Sequence, residues 1–162
     1  MSDAAGSGGG SGGVIDPDVD LHVAAQRAET AGRGKWRVLA AISAGGVLGA
    51  LARYGATVLW PGSVWTIFGV NVVGCALIGV LMVLVSERGL GHALVRPFLG
   101  VGVLGGFTTF STYAVDVARL LERGDGLAAM AYAAGTFAGA MGAVWLGVAL
   151  TRAAVARAGA PE

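Results

Sequence analysis

The sequence predicts an all-α membrane protein with four transmembrane helices, the third of them broken halfway across the bilayer. Three observations lead to this fold class. Of the 162 residues, 55% are hydrophobic and only 13% are charged, about half the charged share of a soluble domain. Four apolar stretches each exceed the ~20 residues that cross a bilayer. One of them carries a central run of glycines and hydroxyls that a lipid-facing helix would not tolerate.

The amino-terminal segment, residues 1 to about 34, differs in composition from the rest. Its Gly/Ser-rich tract is followed by Asp16, Asp18 and Asp20, with too few apolar residues to form a core. Such low-complexity segments behave as flexible coils. The segment also lacks the basic and then apolar order of a cleaved signal peptide. We therefore expect a disordered cytoplasmic tail.

The four apolar spans form a predicted transmembrane domain over residues 35–152. Trp36 and Trp60 bracket the first span, as interfacial tryptophans do, and the turn at residues 61–63 ends it. Polar loops at residues 87–92 and 122–125 separate the later spans, and residues 153–162 are expected to form a second tail. The spans cover about residues 36–60, 65–86, 93–121 and 127–150.

Glycines recur four residues apart within the spans, which places both on one helix face and lets backbones approach closely. The pairs are Gly45 with Gly49, Gly102 with Gly106, and Gly135 with Gly139. With 29 glycines in the chain, we expect tight helix packing. Because four helices enclose little interior, we also expect oligomerisation. The single cysteine, Cys75, excludes a disulfide within the chain and is expected to be a packing residue.

Basic residues predict the orientation, because cytoplasmic flanks of membrane spans are rich in Lys and Arg. With the amino terminus inside, Arg119 and Arg123 lie outside, and the other basic residues that flank the spans share the cytoplasmic side. These are Arg33, Lys35, Arg37, Arg88, Arg96, Arg152 and Arg157. We predict a multi-pass protein of the cell membrane with a cytoplasmic amino terminus. The net charge of +1 argues against nucleic acid as a partner.

The stretch from Gly102 to Asp116 is the centre of the predicted site. Irregular backbone at membrane depth is tolerated only where it is buried in protein or lines a polar cavity. Broken helices of this kind present carbonyls, hydroxyls and helix ends to ions. We therefore expect an ion site in the third span.

Two polar residues in other spans allow two interpretations each. Asn71 in the second span either forms an interhelical hydrogen bond or offers its two N–H donors to an anion. Arg53 in the first span is a functional candidate as a buried arginine, but it could equally extend to the interface or hold a helix end. The residues alone leave these alternatives open.

Aromatic and hydroxyl side chains form two rows. Phe107, Phe110 and Tyr113 recur every three residues and would lie near one face of a continuous helix, while Tyr132 and Thr136 are one turn apart in the fourth span. Such rows usually serve packing. Aromatic ring edges, however, carry partial positive charge and can line the path of an anion.

Together these features resemble the CrcB/Fluc fluoride channel family over about residues 36–152. The first span contributes Gly45-Gly-x-Leu-Gly-Ala-x-x-Arg-Tyr54, and the second contributes Asn71-x-x-Gly74. The third contributes Gly105-Gly-Phe-Thr-Thr-Phe-Ser-Thr-Tyr113, and the fourth contributes Tyr132-x-x-x-Thr136. The string in the third span is highly specific.

The resemblance implies a passive fluoride channel, not an enzyme, assembled as an antiparallel dimer with two pores along the subunit interface. By position it implies that Arg53 and Asp116 lie in the pore vestibule. The backbone carbonyls of Gly105 and Thr108 match a site where both subunits hold a central structural sodium ion. The implied fluoride pore comprises Asn71, Phe110, Ser111, Thr112, Tyr113, Tyr132 and Thr136.

The sequence departs from the family pattern at three of these positions. Tyr113 stands where phenylalanine is usual, Thr136 where serine is usual, and Asp116 where glutamate is usual. Because of Tyr113, the chain could alternatively be a non-conducting subunit that assembles with a working paralogue. The basic-residue bias suggests one fixed orientation and a heterodimer with an oppositely oriented paralogue rather than a homodimer. A small antiparallel multidrug-type transporter is another alternative, in which Asp116, the one acid in any span, would exchange protons.

Overall fold

Four long helical spans make up the structure, a computed structural model that describes residues 33–86 and 93–158. The chain separates at Lys35 into two units, and the second begins at Trp36 and contains the site. All four spans are long and apolar enough to cross a membrane, so the prediction of an all-α membrane protein with four spans is confirmed. Their bounds are Arg33–Leu59, Val64–Ser86, Arg96–Glu122 and Gly126–Ala158.

The two predicted tails can be compared with the described residues only in part. Residues 1–32 of the expected amino-terminal tail, and the expected loop at residues 87–92, lie outside the described residues. The fourth helix continues through Thr151 to Ala158, so the predicted carboxyl-terminal tail from residue 153 is helical as far as Ala158. The added segment is rich in Ala and Arg, which favour helix even where hydropathy falls.

Glycines bring the first and third spans together backbone to backbone. A methyl group on Gly45 would overlap the Phe98 carbonyl oxygen, and one on Gly49 would overlap that of Val103. On the opposite side, Gly102 would meet the Ile42 carbonyl oxygen at 2.8 Å. The close approach predicted from the first two glycine pairs is therefore present.

The second and fourth spans pack in the same way, but through glycines outside the predicted pairs. A methyl on Gly79 would overlap the Val144 carbonyl oxygen, and one on Gly147 would overlap that of Ala76. Gly135, by contrast, has open space beside it. Of the third predicted pair, a methyl on Gly139 would lie 3.2 Å from side chains of the second span, whereas Gly135 borders a cavity and makes no close approach within the single chain.

The third span changes helix type and is then interrupted. Arg96–Leu104 is π-helical, one α-helical turn follows at Gly105–Phe107, and an α-helix resumes at Phe110–Glu122. Between them, Thr108 (φ −74°, ψ 155°) and Thr109 (φ −149°, ψ 126°) are extended. We call Arg96–Phe107 the first half of the span and Phe110–Glu122 the second half. π-Helical turns occur often at functional sites.

Most of the apolar surface of the spans is exposed in the single chain. Only 11–28% of the most apolar part of each span is buried inside it. The small core lies mainly between the second and fourth spans, with Val83 and Ala129 almost fully buried. Exposed apolar patches of this extent on a monomer indicate lipid or partner contacts.

Candidate functional site

The side chain of Asn71 is paired with the backbone of Thr109 at the interruption. The Asn71 Nδ2 donates to the Thr109 carbonyl at 3.0 Å, and its Oδ1 accepts from the Thr109 amide at 2.9 Å. Both residues are buried, so these bonds satisfy an unwound backbone segment that water does not reach. An amide NH2 carries two donors, and this pairing uses one of them. Asn71 therefore forms the interhelical hydrogen bonds of the first interpretation, and one of its two N–H groups remains available as a donor.

Thr109 caps the second half of the third span. Its Oγ1 accepts a hydrogen bond from the Thr112 amide at 3.2 Å, as N-terminal Ser and Thr caps do. The same oxygen lies 3.1 Å from the Thr112 hydroxyl, to which it donates, and 3.3 Å from the Ser111 hydroxyl. Thr109 was not among the predicted site residues, although a threonine directly before a helix is the usual cap signal.

The two predicted sodium ligands, Gly105 and Thr108, lie at the unwound end of the first half. The Thr108 amide and Oγ1 both donate to the Leu104 carbonyl, at 3.0 and 2.9 Å. Because Thr108 itself is extended, its carbonyl leaves the direction of the helical carbonyls. Gly105 is exposed. Both backbone oxygens therefore lie where the helical hydrogen-bond pattern stops.

A cavity of about 310 Å³ lies beside the interruption, between side chains of the second, third and fourth spans. Its wall also contains Cys75 and Phe137, neither of which was predicted to belong to a site. The structure therefore places a native thiol next to the predicted pore residues. Those that line this cavity are Asn71, Phe110, Tyr113 and Thr136.

Tyr132 and Thr136 carry buried hydroxyls that lack a hydrogen-bond partner. They are 7% and 6% exposed, and among the described residues their oxygens are the buried side-chain atoms left unsatisfied. The Tyr132 hydroxyl lies near the Asp116 carboxyl and the Thr136 hydroxyl, yet neither contact has hydrogen-bond geometry. Both residues border a second cavity of about 430 Å³. An unsatisfied hydroxyl in a native structure indicates a missing water, ion or partner.

Three aromatic rings form a continuous series along this region. Phe110 and Tyr113 have ring centroids 5.7 Å apart, and Tyr113 and Tyr132 have centroids 5.6 Å apart. Phe110 is 79% exposed. Phe107 belongs instead to the wall of a different cavity. The row of residues 107, 110 and 113 was expected only for a continuous helix, and because the extended residues before Phe110 break the helical spacing, Phe107 does not share the position of Phe110 and Tyr113.

Asp116 lies on the other side of the second half, near one end of the span. Its side chain is 10% exposed and pairs at 3.7 Å with Arg119, which is 65% exposed. Together with Thr112 these residues line a cleft of about 150 Å³ that reaches the loop after the first span. Arg119 was used in the sequence analysis only to predict the membrane orientation. In the described part of the chain it is the ion-pair partner of Asp116.

Arg53 holds the first half of the third span. Its Nε donates to the Gly106 carbonyl at 3.2 Å, a partly buried contact between the first and third spans. A cation at the carboxyl end of a helical turn also meets the negative end of the helix dipole. The sequence left several interpretations of Arg53 open, and in the structure its side chain holds a helix end.

Comparison with known proteins adds a consistent set of relatives. A family model described as CrcB-like protein, Camphor Resistance (CrcB), matches residues 40–148. The chain is 50% identical over 127 residues to Fluoride-specific ion channel FluC 2 of Streptomyces avermitilis, which covers 76% of this chain and 80% of that protein. It is 52% identical over 128 residues to FluC 1 of Streptomyces coelicolor (74% and 83%). It is 46% identical over 125 residues to FluC of Rhodospirillum centenum (74% and 99%).

Proposed function

The chain belongs to the CrcB family, and from that premise we propose that it is a passive channel through which fluoride leaves the cytoplasm. The observation that carries this proposal is the pair of buried, unpartnered hydroxyls of Tyr132 and Thr136 beside the interrupted helix. Fluoride is small and strongly hydrated, so a pore must replace its water with hydrogen-bond donors. Pore width and lining donors decide ion selectivity in channels.

The physiological role follows from acid–base chemistry. Hydrogen fluoride crosses membranes as a neutral weak acid and ionises in the cytoplasm, where the anion is trapped. A passive channel lets fluoride leave down its electrochemical gradient and protects the cell against fluoride toxicity. No bond is made or broken in the transported ion, so the chain acts as a channel and not as an enzyme.

The lining groups divide by their chemistry. Hydroxyls of Ser111, Thr112, Tyr132 and Thr136, with the unused N–H of Asn71, would hydrogen-bond the ion. The exposed ring of Phe110 and the neighbouring ring of Tyr113 would offer positively polarised edges. Arg53 and Asp116 would lie in the vestibules, with Arg119 offsetting the charge of the acid. An apolar frame around hard donors would favour fluoride over the larger chloride.

The chain is proposed to work as an antiparallel dimer in which the interruption of the third span lies at mid-membrane. The large exposed apolar surface and the exposure of Gly105 and Phe110 support a partner on this side. With the basic-residue bias, the amino terminus is cytoplasmic in this chain. The partner is then either an inverted copy or an oppositely oriented paralogue, and the numerals in the names FluC 1 and FluC 2 support the existence of paralogues.

Sodium fits the donor set at the interruption. The carbonyls of Gly105 and Thr108 lie where the helix unwinds, and unwound carbonyls are the ligands that sodium takes in broken membrane helices. Among residues 33–86 and 93–158 there is no cluster of three or more His, Cys, Asp or Glu side chains, so backbone oxygens are the natural ligands there. A bound sodium ion would supply positive charge at the dimer centre, and these two residues of each subunit would hold it.

The other functions considered have less support. Membership of the family does not favour the multidrug-type transporter, and Asp116, the acid on which that function would depend, pairs with Arg119 at 3.7 Å. A non-conducting subunit rests on Tyr113 alone. The Tyr113 hydroxyl donates to the Ala133 carbonyl at a long 3.4 Å. With this bond formed, the ring still lies between Phe110 and Tyr132 in the aromatic series.

The proposal is tested by fluoride efflux from liposomes that contain the purified chain, followed with a fluoride electrode. The wild-type chain, alone or with its paralogue, is expected to release fluoride and retain chloride. Activity only in the presence of the paralogue would identify a heterodimer, and conduction by the chain alone would identify a homodimer. A chain silent in both conditions would refute the channel.

A substitution at Asn71 separates the pore from the assembly. Asn71→Asp keeps the Oδ1 that accepts from the Thr109 amide but places an acid beside the ion path. We expect efflux to be abolished while the dimer forms as in the wild type, measured by size-exclusion chromatography with light scattering. Undiminished efflux would remove Asn71 from the pore.

A further inference from the structure

Two backbone amides at the interruption are turned away from the carbonyls that they would meet in a continuous helix. In an α-helix each amide bonds the carbonyl four residues earlier. The Thr109 amide would therefore bond the Gly105 carbonyl, but it donates instead to the Asn71 Oδ1 at 2.9 Å. The side chain of the second span thus removes the natural donor of Gly105.

The same exchange occurs one turn later within the third span. The Thr112 amide would bond the Thr108 carbonyl in a continuous helix. It donates instead to the Thr109 Oγ1 at 3.2 Å. The side chains of Asn71 and Thr109 therefore bind the two amides and leave the Gly105 and Thr108 carbonyls without their helical donors.

We propose that Asn71 and Thr109 are positioning residues for the cation site: their side-chain oxygens take the two amides that would otherwise occupy the Gly105 and Thr108 carbonyls. This inference rests on the proposed sodium site. It gives Asn71 a second task that is separate from donating to fluoride, because its Oδ1 accepts from the Thr109 amide while the residue also lines the cavity.

The Gly106 carbonyl shows that the release is selective. It lies between the two released oxygens in sequence and is occupied by the Arg53 Nε at 3.2 Å. Arg53 of the first span therefore occupies the Gly106 carbonyl. Asn71 and Thr109 instead bind the amides that would otherwise bond the carbonyls of the other two residues. A cation would find Gly105 and Thr108 free of their helical donors, and Gly106 already engaged.

The test is the sodium dependence of thermal unfolding of the purified full chain in detergent, read by tryptophan fluorescence, with N-methyl-D-glucamine as the replacement cation. A ligand that binds only the folded state raises the melting temperature with its concentration. Sodium should therefore stabilise the wild type, and fitting this rise gives the sodium concentration at which half of the folded chain is bound, which we call the sodium midpoint. This readout does not depend on fluoride efflux.

The Thr109 pair is the decisive comparison, because both variants are uncharged and close in shape to threonine. Thr109→Val removes the Oγ1, so the Thr112 amide loses the acceptor that keeps it from competing for the Thr108 carbonyl, and the sodium midpoint should rise about tenfold or more, equal to ~1.4 kcal/mol or more. Thr109→Ser keeps the oxygen and should leave the midpoint within about threefold of the wild type. Equal midpoints for the two variants would overturn the role of Thr109.

Asn71→Leu is the second test, since leucine fills similar space but cannot accept from the Thr109 amide. We expect a rise of about tenfold or more in its sodium midpoint. Val83→Ala, in the same span but within the core, controls for loss of stability alone and should lower the melting temperature without moving the midpoint. An Asn71→Leu midpoint like that of Val83→Ala would overturn the role of Asn71.

The wild type distinguishes failure of this inference from failure of the function. If sodium stabilises the wild type and all variants alike, the site stands and the positioning role is wrong. If sodium has no effect on the wild type while fluoride efflux is normal, the sodium site and this inference both fall, and the channel remains.

Discussion

The unpartnered hydroxyl of Thr136 gives a prediction in which stability and activity move in opposite directions. The residue is 6% exposed, and its Oγ1 has no partner among the described residues. Leaving a buried hydroxyl unsatisfied costs about 1–3 kcal/mol. Thr136→Val keeps the shape and removes the polar atom, so we expect unchanged stability or a gain of up to ~1–2 kcal/mol.

The effect on transport should be a loss. A hydrogen bond to a charged group contributes about 1.5–3 kcal/mol. Since about 1.4 kcal/mol corresponds to a factor of ten, removing such a bond from the ion path should slow fluoride efflux roughly tenfold to hundredfold. Efflux from liposomes measures the rate, and thermal unfolding by tryptophan fluorescence measures the stability.

Thr151→Val is the matched control on the same helix. The Thr151 Oγ1 donates to the Gly147 carbonyl at 2.7 Å and lies outside the cavities beside the interruption, so its removal should leave efflux unchanged. The reasoning is refuted if Thr136→Val conducts like the wild type. It is also refuted if Thr136→Val loses more than about 1 kcal/mol of stability, because that would reveal a partner for the hydroxyl.

Three further outcomes are expected from the packing and the hydrogen bonds. Gly147→Ala should destabilise the chain by about 1–3 kcal/mol in thermal unfolding, because its methyl would overlap backbone of the second span, whereas Gly142→Ala, with open space beside it, should be neutral. Arg53→Gln should lower stability by about 1–2 kcal/mol through loss of the charged bond to Gly106, and an unchanged melting temperature would contradict that contact. Tyr113→Phe should cost under ~1 kcal/mol, since its bond is long, and should retain fluoride efflux; a silent variant would show that the phenol itself serves conduction.

Hydropathy and length were enough to predict the four spans, because a bilayer imposes those properties on any helix that crosses it. The type of helix in Arg96–Leu104 could not be predicted in this way. Its bonding depends on tertiary packing, as where Gly102 meets the Ile42 carbonyl oxygen of the first span. Likewise, glycine spacing identified the contact of the first and third spans but missed Gly79 and Gly147, whose contact is set by how the second and fourth helices face each other.

Motif and chemistry nominated candidate site residues, but they could not predict the hydrogen-bond partners of those residues. Asn71 illustrates the difference. An amide in a membrane span must be satisfied, which the sequence alone indicates, but only the fold shows that Thr109 is its partner. For a related reason the aromatic spacing could not place Phe107, because a regular spacing requires one continuous helix and the extended residues interrupt it.

Polar groups at the interruption are satisfied unevenly, and the pattern points to an ion. Inside a membrane each polar group needs a partner within the protein or at a watery cavity. At the interruption the chain itself satisfies the Thr109 backbone and the Gly106 carbonyl. Within residues 33–86 and 93–158, the hydroxyls of Tyr132 and Thr136 have no hydrogen-bond partner. A stable helix crossing alone would not require polar side chains at those two positions, so the retained hydroxyls support the proposed ion path.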